Sequence, residues 1–156
     1  MPRVVLFQPE IPPNTGNVAR TCAATATELH LIEPLGFEIS DRTLRRAGLD
    51  YWPWVQLQRH RDWQSFRDHQ RRSGGRLLAL TRHASSSYDA LDYEPSDWLL
   101  FGRESSGLPA EPLADADRCL SIPMAGSVEH GGGVRSLNLS VAVGVVLFEA
   151  LRQLRG

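Results

Sequence analysis

A chain of 156 residues has room for one domain with a sizeable core and hardly for two, so residues 1–156 are expected to form a single unit. A net charge of −1, with 22% charged and 42% hydrophobic residues, is ordinary for a soluble globular protein and argues against a strongly basic nucleic-acid binder. Two widely spaced cysteines and five histidines off metal-ligand spacing argue against a disulfide scaffold and a zinc site, so free thiols and no metal are expected.

In chain order, Val4-Val5-Leu6-Phe7 reads as a buried strand that meets Pro9 and Pro12 at once. That apolar run is too short for a signal-peptide core, and the longest one, Val141 to Phe148, is too short for a membrane span. A cytoplasmic protein is the expectation. Gly16 to Thr27 reads as a small-residue helix, and Leu29-His30-Leu31-Ile32 as a second strand. Asp41 to Ala47 reads as a helix with Asp41 as N-cap, and Val55-Gln56-Leu57 as a weak strand. Asp62 to Arg72 reads as a helix stopped by Ser73-Gly74-Gly75. Leu77 to Leu80, Trp98 to Phe101 and Cys119 to Ile122 follow as strands. From Ser136, as N-cap, a long apolar helix runs to the end; the β-branched stretch Val141 to Val146 is a competing strand signal. Strands alternating with helices predict an α/β protein with a mostly parallel sheet flanked by helices, and ligands at the carboxyl ends of its strands. The apolarity of the last helix points to burial on more than one side, and so to a dimer contact.

Charge is unevenly distributed. Residues 42–82 hold ten arginines against Asp50, Asp62 and Asp68, a surplus of +7, while the remainder carries seven arginines and fifteen acids. Such a layout steers a polyanion to one side of the molecule, or it is simply a solvated pair of helices. Arg42, Arg45, Arg46, Arg59 and Arg61 are the candidates for phosphate contacts.

Three loops carry candidate chemistry. Pro9 to Arg20 follows the first strand and sets Asn14, Thr15 and Asn17 near a helix start, with Arg20 a turn further on. Phe101-Gly102-Arg103-Glu104-Ser105-Ser106-Gly107-Leu108-Pro109 follows a buried strand; Gly102 would leave bare backbone for a ligand, and Glu104 is an acid at a strand's carboxyl end. Ile122-Pro123-Met124 and Ser136-Leu137-Asn138-Leu139-Ser140 frame a glycine-rich segment before the last helix. Taken singly, each also reads as a capped turn. An esterase reading of His130-Gly131-Gly132-Gly133 with Ser105 or Ser106 fails, because Arg103 and Glu104 stand where the nucleophile turn needs glycine.

Taken together and in this order, the motifs resemble the SpoU branch of the SPOUT RNA methyltransferases, most of all its minimal members that methylate the ribose of tRNA nucleotide 34. The likeness extends to Ile32-Glu33-Pro34 and Leu44-Arg45-Arg46-Ala47-Gly48-Leu49-Asp50-Tyr51. It implies a C-terminal trefoil knot, a homodimer, and S-adenosylmethionine as cofactor in a pocket of Leu80, Gly102, Ile122, Ser136, Met124 and Leu137. It also implies that Arg20, Asn17, Glu104 and Asn138 serve transfer of a methyl group to a ribose 2′-hydroxyl of tRNA, at the anticodon stem-loop. Methylation at another tRNA or rRNA position, or a non-catalytic RNA-binding factor on the same fold, are the alternatives. The segment Ala125 to Val134 is longer than the family pattern and is expected to be a mobile flap.

Overall fold

The computed structural model describes residues 1–39, 42 and 49–155. Six parallel strands form one sheet in the order β3-β2-β1-β5-β4-β6: β1 (Arg3–Phe7), β2 (Leu29–Ile32), β3 (Leu57–His60), β4 (Leu77–Leu80), β5 (Trp98–Phe101) and β6 (Arg118–Leu120). The four inner strands are almost wholly apolar, as burial on both faces demands. Among the described residues, helices α1 (Pro12–Ala24), α2 (Trp63–Ser73), α3 (Ala110–Asp115) and α4 (Leu139–Arg155) cover them. The chain proceeds outward from β1 through β2 to β3, then crosses to the other half of the sheet. The order of progression therefore reverses between β1 and β5, and a crevice forms at the carboxyl ends there.

One face packs α1 and α4 over Val4, Leu6, Leu29, Leu31, Leu78, Leu99 and Phe101, with Val18, Cys22, Val143, Val146 and Leu147 supplied by the helices. The other packs α2 over Val5, Phe7, Ile32, Leu77, Trp98 and Leu100, with Trp63 and Phe66 inserted edge-on between rings. Burying such side chains stabilises by roughly 1.5–3 kcal/mol each relative to exposure.

Several local readings shift. α1 starts at Pro12 rather than Gly16, because prolines in the first turn give up only N–H groups that a helix start leaves unused. β3 lies two to three residues beyond Val55, since the preceding residues Leu49–Trp54 wind as a 3-10 turn. The last helix is capped by Asn138, not Ser136: its Oδ1 accepts from the N–H groups of Ser140 (2.9 Å) and Val141 (3.4 Å). The Val141–Val146 stretch is helical, and α4 is buried along one stripe only, leaving Val141 and Phe148 about half exposed. Asp62 caps α2 as expected, accepting from Ser65 N at 2.8 Å. Of the helix expected over 41–47 only Arg42 is described, and the rest, with Arg45 and Arg46, lies outside the described residues. Both cysteines are free thiols.

Candidate functional site

The three motif loops meet at the carboxyl edge of β1, β5, β4 and β6 around a cavity of about 630 Å³. Leu80, Gly102 and the segment after Leu120 supply its floor, as strand ends must in a parallel sheet. Every residue assigned by resemblance to the cofactor pocket (Leu80, Gly102, Ile122, Met124, Ser136 and Leu137) lines it, with Leu120, Leu139 and Ala142 adding apolar wall. Glu104 and Asn138 line it as well. Asn17 and Arg20 do not: both are exposed on the outer side of α1, and the Arg20 guanidinium sits 4.6 Å over the Tyr51 ring.

The loops are joined by a chain of side-chain hydrogen bonds. Glu104 accepts from the backbone N–H of Glu10 (2.9 Å) and of Ile11 (2.8 Å) and from Asn14 Nδ2 (3.3 Å). Asn14 Oδ1 in turn accepts from Asn138 Nδ2 at 3.0 Å, and Asn138 caps α4. One carboxylate and two amides therefore tie the first, second and third motifs. Glu10 completes an exchange in the opposite direction, accepting from Ser105 N (3.0 Å) and Ser105 Oγ (2.7 Å). Those hydrogen bonds hold the Glu10 carboxyl below its ordinary range. A carboxylate is suited to this work because it accepts several N–H groups at once and offers no competing donor.

Gly102 is required for a reason other than ligand approach. A Cβ there would lie 2.3 Å from the Gly107 carbonyl carbon and 2.5 Å from Leu108 N. The loop doubles back so closely, through paired Arg103–Gly107 backbone bonds of 3.1 and 2.9 Å, that no side chain fits. Arg103 is spent on structure: it donates to Gln8 Oε1 and lies 5.0 Å from the Phe7 ring centre. Gln8 itself has φ 47°, an uncommon conformation for a non-glycine residue that turns the chain out of β1 into the first loop.

The glycine-rich segment is folded on itself. Val128 N donates to Val134 O (2.9 Å) and Gly132 N to Ser127 O (2.8 Å), and Val128–His130 form a 3-10 turn. Its ends, Met124 and Arg135, reach the cavity; residues 125–134 do not. Asn14 and Glu10 were missing from the predicted site set. Asn14 was legible only as a helix-start polar residue, and no local signal marks a partner ninety residues away.

Among the arginines proposed for phosphate contact, Arg59 is engaged by Glu33 (2.7 Å), and Arg61 lies 3.7 Å from Asp62. Arg42 is exposed.

A parallel α/β sheet whose progression reverses beside an apolar-walled cavity, with polar loops at the strand ends, defines a small-molecule-binding α/β enzyme architecture. Residues 1–148 match the model of the SpoU rRNA methylase family, and the chain belongs to that family. A relative from Polaromonas sp., named tRNA (cytidine(34)-2′-O)-methyltransferase, is 48% identical over 96% of this chain and 89% of its own length. A solved structure described as giving insights into 2-OH methylation of C/U34 on tRNA superposes with a TM-score of 0.91, at 51% identity, over 100% of this chain and 97% of that one. An AdoMet-bound rRNA methyltransferase from Sinorhizobium meliloti matches with a TM-score of 0.86 at 31% identity, covering 98% of this chain and 56% of that chain.

Proposed function

We propose that this protein transfers a methyl group from S-adenosylmethionine to the ribose 2′-hydroxyl of tRNA, at nucleotide 34 in the anticodon loop. The observation that carries this reading is the convergence of all three motif loops on one cavity, joined through Glu104, Asn14 and Asn138. The full-length likeness to proteins bearing that activity supports the choice of substrate and position.

The cavity fits the cofactor on its own terms. Its volume of about 630 Å³ is ample for a nucleoside-sized ligand, and Leu80, Ile122, Met124 and Leu137 offer apolar cover for a base while Ser136 and loop backbone offer polar contacts. When bound, the cofactor supplies a methyl group already activated by a sulfonium. What remains for the chain is to align the ribose, exclude water and assist departure of the hydroxyl proton. Glu104 and Asn138 fix the loops that form the cavity wall. Arg20 is permanently charged, so its role is to hold a phosphate and stabilise developing alkoxide rather than to take the proton.

Arg20 and Asn17 are exposed on α1, and Val141 and Phe148 are about half exposed on α4, which packs against α1 in the core. A homodimer packed through these two helices would cover the apolar residues and bring the two polar ones toward a partner's cavity. A single unit over 1–156, the trefoil knot around β6 and α4, and a cytoplasmic location complete the same reading; among the described residues no helix is long and apolar enough to cross a membrane.

The decisive experiment incubates the protein with unmodified tRNA and methyl-labelled cofactor and maps the product by nuclease digestion. A 2′-O-methyl at nucleotide 34 is expected. Label at another nucleotide would overturn the position, and no transfer to any tRNA or rRNA would overturn the activity.

A further inference from the structure

We propose that Arg82 and Arg135 form a phosphate clamp at the mouth of the cavity, holding the RNA backbone beside the ribose that is methylated. The inference rests on the RNA-methylation reading and assigns it a binding site that the motifs do not contain.

Arg82 stands two residues past the end of β4, and Arg135 ends the glycine-rich segment; both line the cavity and both are exposed. They belong to different loops, yet they are held together: Arg82 Nη1 donates to the Arg135 carbonyl at 3.3 Å. Among the described residues, no carboxylate lies within ion-pair distance of either guanidinium. Of the three arginines that line the cavity, the other one, Arg103, is consumed by Gln8, and elsewhere Arg59, Arg67, Arg76 and Arg152 are paired with Glu33, Asp115, Asp97 and Glu149. The rim thus carries two positive charges with no carboxylate partner, opening onto the cavity, with His83 alongside. Planar guanidinium forks of this kind match phosphate oxygens in paired hydrogen bonds. Because the clamp is wet and at the mouth rather than enclosed, a backbone phosphate suits it better than the carboxylate of the cofactor, the other anion that could enter the cavity.

The test compares wild type with Arg82→Ala, Arg135→Ala, their Lys counterparts and Arg72→Ala, which removes an exposed charge from the last turn of α2. tRNA affinity is measured across a salt series and S-adenosylhomocysteine affinity by calorimetry. Each rim alanine variant is expected to weaken tRNA binding about tenfold. It should also flatten the slope of log K against log salt by about 0.7 for the lost phosphate contact. The Lys variants should keep the slope and lose part of the affinity, while Arg72→Ala and all S-adenosylhomocysteine affinities stay as in wild type. Unchanged tRNA affinity and slope in the rim variants would overturn the clamp. So would a loss of S-adenosylhomocysteine binding with tRNA binding intact, which assigns the pair to the cofactor carboxylate. Failure of the wild-type protein to methylate RNA is a separate outcome, read before any variant, and it removes the underlying activity instead.

Discussion

At the carboxyl edge of the sheet, Glu104 is met by two main-chain N–H groups and an amide, so its charge is answered by fixed donors. Under α2, buried polar groups are instead met mostly by one another and by rings. His30 and His60 lie edge to edge with nearly parallel rings (12°) and ring centres 5.2 Å apart, and His30 Nδ1 lies 2.9 Å from His60 Nε2, with Phe66, His69 and Trp98 around them. Glu28 accepts from His30 Nε2 at 3.1 Å, which leaves His30 Nδ1 to accept from His60. A proton added to His30 would set two N–H groups against each other. Burial, together with the positive charge of neighbouring histidines, pushes His30 well below its ordinary pKa despite Glu28; burial and His69 also lower His60. The edge cluster organises loops and tolerates charge; the histidine cluster fills a core and tolerates only neutrality.

The sharpest way to break this contrast is at Glu104. Glu104→Gln preserves volume but turns a donor toward N–H groups that need an acceptor, so the loops should lose register. Methyl transfer should fall on the order of a hundredfold, as small displacements of reacting groups do, with a modest change in melting temperature. Near-normal kcat in this variant would show that the network does not organise the site.

The histidine cluster should respond to pH through stability. Both folded-state pKa values lie below the ordinary 6.5, so the unfolded chain binds protons more readily. The stabilising contribution is therefore complete above about pH 6.5 and is lost as pH falls below it. Thermal unfolding midpoints should hold steady above neutrality and decline in acid, and a His30→Phe, His60→Phe double variant should flatten that decline. An equally steep acid decline in the double variant would place the sensitivity elsewhere.

The smallest effect is expected at Arg59, whose ion pair with Glu33 is partly solvated on both sides. Arg59→Ala should cost no more than about 1 kcal/mol by denaturant unfolding. A larger loss would mean that this edge of the sheet depends on the pair for its packing.

Much of the scaffold was legible because its signals are local. Val4–Phe7, Leu77–Leu80 and Trp98–Phe101 are short unbroken apolar runs, Leu29–Ile32 is interrupted only by His30, and a strand buried on both faces requires such runs. Asp62 before an amphipathic run and Gly74 after it mark the ends of α2 by cap chemistry confined to one turn. The helix Ala110–Asp115 went unread because Pro109 and Pro112, with Glu111, Asp115 and Asp117 around them, resemble a loop in composition. What the sequence could not disclose is pairing at long range. Nothing near Asn14 announces that its two amide atoms are taken by Glu104 and Asn138, and the reason for Gly102 lies in the return of the chain at Gly107. The motifs named two of the three network residues among the site candidates, but not the order in which they touch.

The central position of β1 has a consequence for synthesis. Its left neighbour, β2, follows within thirty residues, but its right neighbour begins at Trp98 (Arg3↔Trp98, Val4↔Leu99). A nascent chain leaving the ribosome therefore carries the exposed backbone of Arg3–Phe7 and the oily side chains of Val4–Phe7 until Trp98–Phe101 has been made. Folding must await that late arrival, as parallel sheets with distant partners generally do, and during this interval chaperones have their clearest opportunity to engage the chain.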